Sequence, residues 1–242
     1  MKHDILRVNL WSGPRNISTA LMYSFAQRDD TQVVDEPLYA HYLRTGGTQH
    51  PGREEVLASQ ENDGKKVIDW MTSDVFEKPV VFFKQMTHHL IDLPHEFLSQ
   101  TKNILLIRDP KDVLISYSKV IEQPALEDIG IKQSYELFQF LKEKNFHCVI
   151  VDSSEVLKQP EIMLNRLCKN LGITFQKSML HWKAGTRVED GVWAKYWYKN
   201  VHLSTGFAPF EKEEKELPEH LTAIYAEAKF YYDFLCLESL KV

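Results

Sequence analysis

The sequence predicts an α/β fold, a parallel β-sheet flanked by helices. Three observations lead there. Short apolar runs rich in Val, Ile and Phe recur at wide spacing, the pattern of strands buried on both faces. Helical patterns lie between those runs, the alternation of a parallel sheet. Each run gives way at its carboxyl end to polar, charged or proline-containing sequence, where such sheets bind ligands. A length of 242 residues suits one domain spanning 1–242.

The elements follow in order. Residues 4–11, DILRVNLW, read as the first strand and lead into SGPRNIST. STALMYSFAQ is a helix whose start signal is Ser18 or Thr19. Residues 31–35, TQVVD, form a second strand before EPLY. Residues 44–66 are polar and contain four of the ten glycines; they read as a solvated connection, with a mobile lid or acceptor loop as the alternative. Residues 79–84, PVVFFK, and 103–107, NILLI, are the third and fourth strands. Asp109-Pro110 is a cap-then-proline entry to a helix over KDVLISYSKVIEQ. Residues 146–151, FHCVIV, are the fifth strand. PEIMLNRLCKNLGI starts a helix at Pro160 and stops it at Gly172. The charge run 211–219 reads as solvated surface. The final helix spaces Leu221, Ile224, Tyr225, Ala228, Tyr231 or Tyr232, and Leu235 on one face.

Composition narrows the function. With 29 Lys+Arg against 34 Asp+Glu the net charge is −5, which argues against a nucleic-acid partner because phosphate neutralisation needs a basic surface. No run approaches the roughly 20 apolar residues that span a bilayer, and MKHDILRVNLW lacks the uninterrupted apolar core of a signal peptide. Cys148, Cys168 and Cys236 are odd in number, widely spaced and set among apolar residues. They read as three buried, reduced thiols, neither a disulfide framework nor a zinc site. A cytoplasmic protein without membrane partners is expected.

Chemistry concentrates in two loops. SGPRNISTAL follows the first strand and opens a helix, the context of a phosphate-binding loop. On the GxxxxGK[ST] spacing Ser12 takes the first glycine, Ile17 the second and Ser18 the lysine, while Thr19 fits. The lysine that would hold β- and γ-phosphates is therefore missing, and Arg15 stands three positions earlier. Such a loop suits an anion held by Arg15, hydroxyls and backbone amides better than a triphosphate with Mg²⁺; helix capping by Ser18 or Thr19 is the bland alternative. The second loop is ILLIRDPKDVLISYSKV. Arg108 emerges from a buried strand and Ser116 lies in the next helix, so an arginine fork and a hydroxyl can meet a second phosphate. A surface ion pair of Arg108 with Asp109 or Asp112 is the alternative.

RDPKDVLISYSK closely resembles the 3′-phosphate motif of sulfotransferases that use 3′-phosphoadenosine 5′-phosphosulfate (PAPS). That resemblance implies a P-loop nucleotide-binding fold, with Arg108 and Ser116 on the 3′-phosphate of the donor. PRNIST resembles the family's 5′-phosphosulfate loop: Pro14 matches its Pro, Arg15 its Lys, and Ser18 and Thr19 its two threonines, with Asn16 between them. Ile17 replaces the family's Gly. VVDSSEVLKQPEIMLNRLCKNLGI and FFKQMTHHL are similar to two further family segments, the latter to one whose His acts as base. The likeness spans about residues 5 to 175. Beyond it the family's RKG triplet and adenine-stacking Trp have no counterpart: GVWAKYWYKNVHLSTGFAPF occupies the former region, and Ala20 and Leu21 follow the hydroxyls. Trp193, Trp197 or Phe207 is left to supply a stacking face. Similar sequences also occur fused to aminotransferase-like halves, but this chain shows no lysine context for that chemistry.

The resemblance implies sulfuryl transfer from PAPS to a hydroxyl or amine of a small-molecule acceptor, without a metal. Arg15 would stabilise charge on the leaving oxygen. His88, its neighbour His89, or Glu36 would be the base, and Lys84 would assist the leaving group or only pack its stem. The alternatives are a P-loop kinase or hydrolase and a non-catalytic nucleotide-binding protein.

Overall fold

A computed structural model describes residues 5–119, 121, 123–210 and 216–241. Its centre is a five-stranded sheet of β1 (Leu6–Ser12), β2 (Thr31–Asp35), β3 (Val80–Met86), β4 (Lys102–Ile107) and β5 (Cys148–Asp152). The order is β2-β3-β1-β4-β5 and every pairing is parallel. All five expected strands form, with bounds shifted by a few residues. Central β1 ends at Ser12, which registers with Met86 of β3 and Leu106 of β4. The loops after β1, β3 and β4 therefore meet at the middle of one sheet edge, where the strand order turns about β1.

Alternation along the strands sorts side chains into two cores. Val8, Leu10, Phe82, Leu106 and Val151 face one side. There they pack on α1 (Ser18–Phe25) and, through Leu164, Leu167 and Leu171, on α9 (Pro160–Leu171). Trp11, Phe83, Leu105 and Ile150 face the other side. Those residues pack beneath α4 (Gly64–Ser73), α5 (Pro110–Tyr117), α7 (Ile131–Glu143) and α12 (Thr222–Leu237). Burial on both faces removes apolar area from water at roughly 25 cal/mol per Å², so the strands need no polar face.

Local chemistry sets the ends of the helices. Asp109 caps α5 by accepting from the Lys111 amide at 2.8 Å, with Pro110 at the first position. Gly172 ends α9 at φ +80°, the left-handed stop that glycine adopts without a Cβ penalty. Leu221, just before α12, and Ala228 and Leu235 on it are buried as the spacing predicts, while Ile224, Tyr225, Tyr231 and Tyr232 are half-buried.

Several expectations are corrected. The helix after β4 ends at Tyr117 and does not run on to Gln123; Val120 and Glu122 lie outside the described residues. The polar stretch 44–66 is not a plain connection. It takes in the end of α2 (Tyr39–Gly46), all of α3 (Arg53–Ser59) and the start of α4, capped by Asp63 on the Lys65 amide at 3.0 Å. Cys168 is buried, but Cys148 and Cys236 are half-buried; all three thiols are free. Within the charge run 211–219, residues 211–215 lie outside the described residues. No described helix is long and apolar enough to cross a membrane.

Candidate active site

The open edge of the sheet borders a cavity of about 1090 Å³. Pro14, Arg15 and Asn16 line it from the loop after β1, Ser18 and Thr19 from the start of α1, Arg108 from just after β4, and Ser116 from α5. Glu36, His88 and His89 line it as well. Every residue singled out from the sequence for binding or catalysis thus borders one space.

The loop after β1 is tightly set. A Cβ on Gly13 would lie 2.2 Å from the Ile129 carbonyl oxygen, so only glycine fits between β1 and the turn from α6 (Leu126–Ile129) to α7. Arg15 has φ +55°, a left-handed conformation that is costly for a side chain with Cβ. Two bonds hold it there. Its Nε donates to Ser116 Oγ at 2.9 Å, and its carbonyl accepts from the Arg108 guanidinium at 2.8 Å. Asn16 is occupied with β4: its amide donates to the Leu106 carbonyl at 3.1 Å. Arg108 also lies 3.7 Å from Asp112, so the surface pair weighed from the sequence coexists with the Arg15 contact.

Helix capping does not account for the hydroxyls. The residue before α1 is Ile17, and no side chain caps the helix. Ser18 and Thr19 are its first two residues, and neither hydroxyl has a hydrogen-bond partner among the described residues. Uncapped amides and two free hydroxyls at a helix N-terminus, beside a guanidinium, suit an anion.

Beyond Arg15 lies a buried charge cluster. Lys84 of β3 is 1% exposed. Its ammonium donates to Asp35 at 2.9 Å, to Glu36, and to the Tyr198 hydroxyl at 2.6 Å. Tyr198 lies between α10 (Ala194–Trp197) and α11 (Lys199–His202). Its hydroxyl donates to Asp35 at 2.8 Å and accepts from Trp193 Nε1 at 3.2 Å. Burial opposes the lysine's charge, but the two carboxylates outweigh it and hold the ammonium above its usual range. One ammonium faces two carboxylates, so the cluster carries a surplus negative charge. Burial raises the Glu36 carboxyl above the usual glutamate range, with Lys84 opposing and Asp35 reinforcing. Glu36 itself stands at φ +41°. The Lys84 carbonyl holds its amide at 2.8 Å, and its own carbonyl accepts from Gln60 at 3.1 Å.

The histidine pair follows β3 in a 3-10 turn, Thr87–Leu90. His89 Nε2 lies 4.0 Å from Glu36, and its ring stacks on Tyr39 at 5.0 Å. Burial is the main cause that lowers the His88 pKa to about 3 and holds His89 well below its usual value. Both rings are neutral at pH 7. Sequence reasoning missed Asp35 and Tyr198 as partners of Lys84; Asp35-Glu36 after a strand was the one local signal. All three proposed stacking residues line the cavity; Trp193 is also buried edge-on against Tyr39, and Phe207 packs edge-on to Trp182. No group of three His, Cys, Asp or Glu among the described residues is placed to hold a metal.

Comparison with known proteins agrees with this geometry. A family model described as a sulfotransferase domain matches residues 6–232. Branched-chain-amino-acid aminotransferase-like protein 1 of Arabidopsis thaliana is 42% identical over 212 residues, and its protein 2 is 40% identical over the same length. The match takes in 87% of this chain but 38% of either relative, so the chain spans well under half of their length. The sulfotransferase domain of the Synechococcus PCC 7002 olefin synthase shares the fold at a TM-score of 0.59 and 19% identity, covering 94% of this chain and 95% of that one. A sulfotransferase from Alicyclobacillus acidocaldarius does so at 0.54 and 14% identity, covering 97% of both chains. The match of the family model along nearly the whole length of the chain makes this chain a member of the sulfotransferase-domain family.

Proposed function

We propose that the protein transfers a sulfuryl group from PAPS to a hydroxyl or amine of a small-molecule acceptor. The observation that carries this reading is the bond from Arg15 to Ser116 at 2.9 Å. It brings the two loops that resemble the family's phosphate motifs to one rim of the cavity, with Arg108 against the Arg15 carbonyl.

The donor set suits such a nucleotide. Two guanidinium groups, two unpartnered hydroxyls and an uncapped helix N-terminus match two separate phosphate groups. PAPS, when bound, supplies the activated sulfuryl group. Arg15, Ser18, Thr19 and the α1 amides hold the 5′ side, and Arg108 and Ser116 the 3′-phosphate. Arg15 steadies the negative charge left on the phosphate oxygen as its bond to sulfur breaks. A sulfuryl group carries less negative charge than a γ-phosphoryl group, so guanidinium groups suffice for neutralisation.

Glu36 takes the proton from the acceptor oxygen as that oxygen bonds to sulfur. Its raised pKa and the surplus charge of its cluster support this choice over His88 and His89, whose depressed pKa values make them weak bases. Lys84 holds one Glu36 oxygen and leaves the other toward His89. The net charge of −5 supports a small molecule over nucleic acid as partner, and three free cysteines support a cytoplasmic setting.

The test is calorimetric titration with adenosine 3′,5′-bisphosphate (PAP), without metal, against ATP with Mg²⁺. The expected result is micromolar PAP binding that Arg108→Ala removes. Unchanged PAP affinity in that variant, or preference for ATP with Mg²⁺, refutes the reading.

A further inference from the structure

Asp35 ends β2 with its side chain 1% exposed. Glu36, Lys84, His89 and Tyr198 border the cavity; Asp35 does not. Three donors hold it in place. Its Oδ1 accepts from the Lys84 ammonium at 2.9 Å, and its Oδ2 from the Tyr198 hydroxyl at 2.8 Å and the Gly191 amide at 3.3 Å. Gly191 is anchored in turn through its neighbour Asp190, which accepts from the Tyr23 hydroxyl of α1 at 2.6 Å and lies 2.9 Å from His202 Nε2.

An ammonium has three donors. Those of Lys84 all have acceptors in Asp35, Glu36 and the Tyr198 hydroxyl, so none is left for a ligand. Glu36 gives Lys84 one oxygen only. Its other oxygen accepts no hydrogen bond from the described residues, and His89 Nε2 stands 4.0 Å from it. Tyr39 stacks on that imidazole at 5.0 Å. Among the described residues Lys84 is the cation in contact with either carboxylate, since His89 is neutral.

This charge count decides what a proton does here. With Asp35 in place the cluster has one surplus negative charge, and a proton on Glu36 cancels it. Without the Asp35 charge, Lys84 and Glu36 would form a neutral pair. A proton on Glu36 would then strand a buried ammonium, which is costly. A glutamate paired alone with a buried lysine is therefore a poor base. We propose that Asp35 is the positioning residue that makes Glu36 a base: fixed by Tyr198 and Gly191, it shares the Lys84 ammonium and leaves Glu36 free to take the acceptor's proton. This rests on the sulfotransferase reading above. Asp35 touches neither donor nor acceptor. The acceptor oxygen bonds to sulfur, the bond from sulfur to the phosphate oxygen breaks, and the proton passes to Glu36 while Lys84 stays paired with Asp35.

The test is a carboxyl-carbon NMR titration of the full chain, isotope-labelled at the glutamate Cδ, without nucleotide. The Glu36 signal is the one that Glu36→Gln removes. Asp35→Asn keeps the shape and loses the charge. It is expected to lower the Glu36 midpoint by about one pH unit or more, a tenfold loss of proton affinity. Tyr198→Phe disturbs the same cluster but keeps both carboxylates, so there the midpoint is expected not to fall. A midpoint that stays within about 0.3 pH unit of the parent in Asp35→Asn overturns the proposal. So does an equal fall in Tyr198→Phe, which would make packing the cause and not charge. So does Asp35→Asn protein that does not fold, because its cluster is neutral and should hold. PAP calorimetry is run on the parent and on Asp35→Asn. Equal affinity is expected, and a selective loss in the variant overturns the positioning role. Failure of PAP to bind either protein refutes the donor assignment, while the Glu36 titration is still read on its own.

Discussion

Removing one oxygen from the buried cluster tests the account of Lys84. Tyr198→Phe keeps the ring, so the change is polar alone. The lost hydroxyl donates to Asp35 at 2.8 Å and accepts from Lys84 at 2.6 Å and from Trp193 at 3.2 Å. A hydrogen bond to a charged group contributes about 1.5–3 kcal/mol, and an orphaned buried donor costs about 1–3 kcal/mol. Trp193 is 2% exposed and cannot turn to water. Two such bonds and one orphan sum to about 4–9 kcal/mol; re-pairing of Lys84 with its two carboxylates offsets much of this, so about 3 kcal/mol is expected. That is a large share of the roughly 5–15 kcal/mol that holds a domain folded. Urea unfolding followed by tryptophan fluorescence reads it directly. With a slope of about 2–3 kcal/mol/M the midpoint falls by about 1–1.5 M. A fall of less than about 0.3 M at unchanged slope refutes the claim that this hydroxyl holds the cluster together.

Three further outcomes are expected. Glu36→Gln lowers kcat by about 10²–10⁴ and removes the acid limb of the pH–rate profile, which in the parent lies above the usual glutamate value of 4.5. Because Gln cancels the surplus charge, the melting temperature holds or rises; a fall in both activity and melting temperature places Glu36 in the fold and not in the reaction. Acid destabilises the protein through the buried histidines: with a folded pKa near 3 against 6.5 unfolded, His88 contributes stability that is present above pH 6.5 and lost as pH falls toward 3. Glu36, raised, has the opposite sign and weakens the fold as pH climbs past 4.5. His88→Phe is expected to flatten the acid loss in a pH series of urea midpoints, and an unaltered series counts against this assignment. Gly13→Ala drives a methyl group into the Ile129 carbonyl; it is expected to cost about 1–3 kcal/mol and to weaken PAP at least as much as it weakens the fold, which paired calorimetry and urea melts measure.

The sheet was legible because its strands are buried on both faces, so their apolar runs stand out without help from alternation. The helix Pro160–Leu171 was legible for a local reason, a proline at one end and a glycine at the other. Helix α4 was hidden because its cap, Asp63, sits inside the polar stretch that reads as a loop. Arg15 and Ser116 meet across 101 residues and Lys84 and Tyr198 across 114. No local pattern announces such pairs. The resemblance to a known family brought the first pair to notice. In the second, Tyr198 lies beyond the stretch where that resemblance is legible, and only the fold brings it to Lys84.

Gly13 and Gly130 touch: a Cβ on Gly130 would lie 2.9 Å from the Gly13 Cα. Asp128 belongs to the same turn, two residues before Gly130. The loop after β1 and the turn before α7, both of which line the cavity, therefore meet at one joint. A nucleotide that stills the loop stills the turn as well, and the entropy of ordering that turn is then already spent when the acceptor arrives. Such a joint works in both directions, because each ligand must help the other by the same factor.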